Sequence, residues 1–188
     1  YVSDEAGDLE INVVDRMGEV INRLTHIPED DETPLWSPNG KNLAFISNQD
    51  DNAEVYLMDP QGGRPIRLTA KSADDGMGDW SPDGVWLAFV RGGSSEERGL
   101  WLRNPDGVNL VHLTHGNDFN PAWSPNGDHI VFVRRTGGNS DLYLVSRLDD
   151  GSWQDEPETS RLTQHPDDDM APVWSPDSDT IAFVSFRD

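Results

Sequence analysis

The chain has no cysteine among its 188 residues, which excludes disulfides, thiolate metal sites and cysteine nucleophiles and leaves the redox compartment undetermined. Lysine is scarce: Lys41 and Lys71 are the two examples, and with arginine they make 14 basic residues against 35 acidic ones, a formal charge of −21. Nucleic-acid and anionic-membrane binding both draw on clustered Lys and Arg, so neither a nucleic acid nor an anionic bilayer is an expected partner. No apolar run approaches the roughly 20 residues needed to cross a bilayer, so membrane insertion is not expected. The chain opens on Tyr1 with neither Met nor a signal segment and reads as a mature or excised piece. Common catalytic signatures are missing too: there is no G-x-S-x-G elbow, H-E-x-x-H zinc pattern, phosphate loop or dinucleotide fingerprint. No window of normal helix length carries a 3.6-residue apolar period free of Gly and Pro.

Apolar residues supply 35% of the chain, yet seven Trp, six Phe and three Tyr offer enough buried area for a core at this length. Their distribution is repetitive. Trp36-Ser37-Pro38-Asn39-Gly40 recurs at Trp80 to Gly84, at Trp123 to Gly127, and as Trp174-Ser175-Pro176-Asp177-Ser178, at intervals of 44, 43 and 51 residues. Leu-Thr pairs at Leu24, Leu68, Leu113 and Leu162 follow at 44, 45 and 49. The long last interval holds extra residues between Leu148 and Ser160 and reads as an extended loop.

Within one period, four short segments rich in strand formers alternate with turns: residues 33–37, 42–47, 54–59 and 64–69. A four-stranded unit of about 44 residues matches the blade of a β-propeller. Phe45, Phe89, Phe132 and Phe183, each nine residues after its Trp, are then expected with the Trp column between neighbouring blades. The repeated serines Ser37, Ser81, Ser124 and Ser175 sit beside proline and read as turn residues.

The repeat, P-x-W-S-P-D-G-x-x-I-A-F-x-S followed by a strand like Glu54 to Asp59 and closing on Arg-Leu-Thr, resembles the TolB-like or PD40 subclass of WD40-like propellers over the whole chain. Gly78 departs from it where other copies have Pro34, Pro121 and Pro172, and Ser178 departs where they have Gly. The expected fold is one all-β domain over 1–188, a propeller of four-stranded antiparallel blades at about 26–69, 70–114, 115–163, and 164–188 with 1–25. In that last, composite blade, residues 171–188 supply the inner strands and 1–15 the outer ones, closing a four-bladed ring and removing free edges. Residues 1–6 and 183–188 compete for one slot in it. The alternative is a segment of a six-bladed propeller, the usual size that the resemblance implies.

Five residues before each Trp stands an aspartate: Asp31, Asp75, Asp118 and Asp169. On an innermost strand they would stand at one mouth of the central channel. At about 5 Å separation each ionised pair would repel by roughly 3 kcal/mol, which calls for a cation such as Ca²⁺ or Mg²⁺, a raised pKa, or rotation away from the axis. The commoner use of such an Asp is to cap a tight turn, with no cofactor. His26, His115 and His165 follow Leu-Thr pairs out of common register, His112 and His129 fall in strands, and all are expected to be structural or solvated. The acidic runs 29–32 and 166–169 read as solvated surface or as a docking face for a basic partner.

The expected function is a non-catalytic protein-interaction or scaffold propeller, self-assembling into homo-oligomers or filaments if its N-terminal strand augments a neighbour. An extracytoplasmic setting, periplasmic, cell-surface or secreted, is implied by the resemblance. The alternative is a metal-dependent carbohydrate-binding protein or polysaccharide-lyase-like enzyme at the channel mouth, near the aspartates and His115 or His165.

Overall fold

The structure, a computed structural model, describes residues 1–4 and 7–187. Glu5, Ala6 and Asp188, which belong to the two competing end segments, lie outside the described residues. Among the described residues all regular elements are β-strands, and no helix is long and apolar enough to cross a membrane. The chain divides into two compact units, Tyr1–Met77 and Gly78–Asp188.

The first unit opens with β1 (Val2–Ser3), β2 (Glu10–Val14) and β3 (Val20–Arg23), a three-stranded antiparallel sheet in that order. A four-stranded sheet follows, β4 (Asp31–Trp36), β5 (Leu43–Ser47), β6 (Glu54–Met58) and β7 (Ile66–Arg67). Ile11, Leu24, Leu43, Phe45, Tyr56 and Met58 form one buried cluster in this unit. Leu43 pairs with Met58 and Phe45 with Tyr56, so alternate residues of facing strands place one apolar row on one face.

β8 (Asp75–Trp80) starts at the boundary and joins β9 (Leu87–Arg91), β10 (Gly99–Arg103) and β11 (Leu110–His112) in a four-stranded sheet. The next sheet is β12 (Asn117–Trp123), β13 (His129–Thr136), β14 (Asn139–Ser146) and β15 (Thr159–Arg161), and β16 (Asp169–Trp174) pairs with β17 (Ile181–Ser185). The Trp and Phe columns do pack between sheets in this unit. Trp123 is buried with Leu100, Leu102 and Phe132, and its indole N–H donates to the Asp79 carbonyl at 3.1 Å. The Trp174 indole does the same to Ala122 at 3.0 Å. Phe45, Phe89 and Phe132 are fully buried, whereas Trp36 and Phe183, on the first and last of these repeats, keep 49% and 38% of their surface.

Each W-S-P turn is built the same way. The Ser37 hydroxyl donates to Asn39 Oδ1 at 2.9 Å and accepts the Asn42 N–H at 2.9 Å, while Gly40 N–H closes onto the Ser37 carbonyl. Ser81, Ser124 and Ser175 repeat this with Asp83, Asn126 and Asp177. The fourth position needs a left-handed backbone, with φ of 67°, 70° and 77° at Gly40, Gly84 and Gly127. Ser178 adopts 66° without being glycine and accepts the Asn126 N–H at 3.0 Å. Before Pro34, Pro121 and Pro172, the residues Thr33, Asn120 and Ala171 also take left-handed φ near 50°, at register shifts in β4, β12 and β16. Gly78 departs for a steric reason: a Cβ there would lie 2.3 Å from the Ala88 carbonyl oxygen.

In the first unit the N-terminal segment pairs with β2. Val2 pairs with Ile11 and Ser3 with Glu10, and the N-terminal ammonium donates to the Asn12 carbonyl at 2.9 Å. β17 pairs with β16, as expected of the two inner strands of the last repeat.

Candidate functional site

Asp31, Asp75 and Asp169 each start an edge strand of their sheet and Asp118 is the second residue of β12; all four are buried. Three of them have different side chains around the carboxylate. Asp118 faces Arg134, which grips it twice, Nε to Oδ1 at 2.7 Å and Nη2 to Oδ2 at 2.8 Å. Thr114 donates its hydroxyl to the same Oδ2 at 2.5 Å. Asp169 faces Ser185, and Arg187 reaches its Oδ2 at 2.5 Å. Burial pushes the Asp169 carboxyl upward, but Arg187 and the Ser185 and Thr163 hydroxyls outweigh that and hold it below its ordinary value. Asp31 faces Ser47 where Asp118 faces arginine, and burial raises it to about 6, which the Ser47 and Thr25 hydroxyls only partly offset. The arginine fork occupies both Asp118 oxygens, the atoms a Ca²⁺ ion would need from this residue.

A second acidic column was not singled out by sequence reasoning. Glu10, Glu54 and Asp141, at or near the start of the third strand of their repeats, are buried and pair with Arg23, Arg67 and Arg161 at 2.5, 2.8 and 2.7 Å. These arginines are the Arg of Arg-Leu-Thr. The Thr of the same marker accepts a third-strand N–H through its hydroxyl, Thr69 from Val55 at 2.9 Å and Thr163 from Leu142 at 3.0 Å. Both ends of the pair were visible as columns in the repeat, but their pairing depends on β-register.

In the third copy both members of this pair change: Gly99 stands for the acid and His112 for the arginine. The His112 ring stacks on Trp101, with centroids 3.9 Å apart, and meets the His115 ring edge-on at 4.1 Å. His115 Nε2 lies 2.8 Å from Glu156 Oε1. Among the described residues, one set of three ligating side chains has its donor atoms within 4.8 Å of one another, and it is His112, His115 and Glu156. The other histidines go elsewhere: His26 is exposed, His129 Nδ1 contacts Ser146 Oγ at 2.7 Å, and His165 lies 3.3 Å from Asp167.

The first unit carries an anionic groove of about 310 Å³ at the loops that begin β4 and β6. Asp30, Glu32, Asp51 and Asp74 line it with Asn48 and Ile46, and no Lys or Arg is among its described lining residues. All four carboxylates are exposed. Asp30 and Asp74 also staple the fold, accepting the Leu9 and Ala53 N–H groups at 2.8 and 3.1 Å. Glu32 and Asp51 bring the charge of the acidic run 29–32 and of the β5–β6 turn into one place.

Residues 1–159 match the family described as the TolB beta propeller domain. The fold is similar to TolB from Acinetobacter baumannii, with a TM-score of 0.70 and 21% identity over 93% of this chain and 42% of that one. A structure assigned to TolB from Agrobacterium tumefaciens gives 0.60 and 23% over 89% and 73%, and a puromycin-hydrolyzing peptidase of Mycobacterium tuberculosis gives 0.68 and 16% over 95% and 32%. The chain thus spans less than half the length of the Acinetobacter protein.

Proposed function

We propose, since the chain belongs to the TolB β-propeller domain family, that it is a non-catalytic protein-interaction module whose acid-lined groove receives a basic segment of a partner protein. The carrying observation is the groove itself: four exposed carboxylates converge with no basic residue among those described as lining it. In a chain of formal charge −21, such a concave site attracts Lys- and Arg-bearing segments over a Debye length and speeds their association. The buried acids Glu54 and Asp118 are by contrast held by arginine and threonine, which fits structural duty rather than catalysis. A setting outside the cytoplasm is part of the proposal and is supported by family membership.

The test is binding of a short Lys/Arg-rich peptide by the intact chain at low and high salt. Binding that fades with salt, and weakens about fivefold in a Glu32→Gln/Asp51→Asn variant, is the expected result. No binding at low salt, or equal binding by the variant, would remove the groove from the proposal.

A finer reading is head-to-tail self-assembly. It is supported by β17, which among the described strands pairs with β16 alone and leaves Val184 51% exposed, an edge that another strand can extend. Light scattering of the chain against a version lacking residues 1–6 tests it, and an unchanged monomeric mass in both would count against it.

A further inference from the structure

Three departures from the repeat meet at one point in the third and fourth copies. The acid and arginine that pair in the other sheets are Gly99 and His112 here, and the extra residues after Leu148 bring Asp155 and Glu156 alongside. The insertion is fastened to His112 from both sides of its peptide: the His112 N–H donates to Asp155 Oδ1 at 2.8 Å, and the Glu156 N–H donates to the His112 carbonyl at 2.8 Å. Gly99 cannot revert to a side-chain residue while this arrangement stands, because a Cβ would lie 1.7 Å from the Thr114 carbonyl oxygen. Glu156 itself sits at a φ of 52°, a backbone region that a residue other than glycine enters at a cost.

The side chains that result are suited to coordination. The His112 ring is fixed by stacking on Trp101, is nine-tenths buried, and leaves its Nε2 without a hydrogen-bond partner. A buried polar atom left in that state is uncommon and calls for a ligand. His115 and Glu156 lie on the solvent side, their donors already in contact at 2.8 Å.

We infer that His112, His115 and Glu156 form a site for a divalent transition metal of the zinc type. Two imidazoles and one carboxylate match the donor preference of Zn²⁺, whereas Ca²⁺ and Mg²⁺ take all-oxygen sets. Donors bound at about 2.0–2.1 Å around a tetrahedral ion stand roughly 3.3 Å apart. The donor atoms of the present set all lie within 4.8 Å of one another, with His115 Nε2 and Glu156 Oε1 at 2.8 Å, so binding an ion would require the two exposed side chains to readjust around His112. Three protein donors leave a fourth position for water or for a group from a partner, and a cleft of about 270 Å³ lined by Ser95, Arg98, His115 and Asn117 lies alongside. The site shares no residue with the acidic groove, which is built from the first unit while His112, His115 and Glu156 belong to the second.

The experiment is titration of the untagged chain with Zn²⁺ by calorimetry, with Co²⁺ absorption as a second readout. His115→Ala and Glu156→Gln are the variants, because both positions are exposed and leave the sheet intact; His165→Ala is the control. The expected result is one Zn²⁺ per chain, the intense visible bands of four-coordinate cobalt, at least a tenfold loss of affinity in either variant, and no loss in the control. Absence of saturable uptake, or affinity undiminished in both variants, overturns the inference.

Discussion

Asp31→Asn isolates the electrostatic difference between otherwise equivalent positions. Asp31 is buried against Ser47, with its pKa raised from 3.8 to about 6. A carboxyl whose folded pKa is raised contributes stability that is fully present below the unfolded value, near pH 4, and is lost as the pH climbs through 6. That displacement of the titration corresponds to a cost of about 3 kcal/mol for holding the ionised carboxylate in the folded chain above pH 7. Asparagine keeps the shape and removes that cost. Urea unfolding at pH 4 and pH 7.5 is expected to give nearly equal stabilities at the lower pH and a gain on the order of 2–3 kcal/mol for Asp31→Asn at the higher. Asp118→Asn should behave oppositely at pH 7.5, losing about 3 kcal/mol, because it strands the half-buried Arg134 guanidinium without its counter-charge. Destabilisation of both variants at pH 7.5, or an Asp31→Asn gain that persists unchanged at pH 4, would refute the reasoning.

Two single substitutions should move stability in opposite directions. Gly78→Ala drives a methyl to within 2.3 Å of a backbone oxygen and 2.8 Å of the Pro121 ring, and chemical denaturation should show a loss of about 2–3 kcal/mol. Ser178→Gly relieves a left-handed φ of 66° worth about 1 kcal/mol but gives up the bond from Asn126, so thermal melting should show a gain below about 1 kcal/mol. The arginine grip on Asp118 further predicts that millimolar Ca²⁺ leaves the melting temperature of the chain unchanged, as a thermal scan with and without the ion will show.

The sequence alone determined the repeat and the chemistry of each strand and turn. W-S-P-[N/D]-G specified its own turn because every contact in it, from Ser37 to Asn39 and Asn42, spans at most five residues. The period-two aromatic and aliphatic runs specified strands for a similar local reason, and the Asp column was visible because its distance from Trp never varies. Tertiary structure decided what those residues do. Asp31 and Asp118 are identical in motif, yet across their β-ladders one faces Ser47 and the other is gripped by Arg134, so the two buried carboxylates have different surroundings. Val2–Ser3 pairs with Glu10–Val14, a pairing that the repeat pattern alone did not specify. His112 and Glu156, 44 residues apart and in no shared motif, were brought together by an insertion folding back on a strand whose own ion pair had been replaced. Local turns and strand patterns are encoded by near neighbours, whereas the surroundings of buried charges and ligand clusters depend on contacts between strands, whose register the linear pattern does not state.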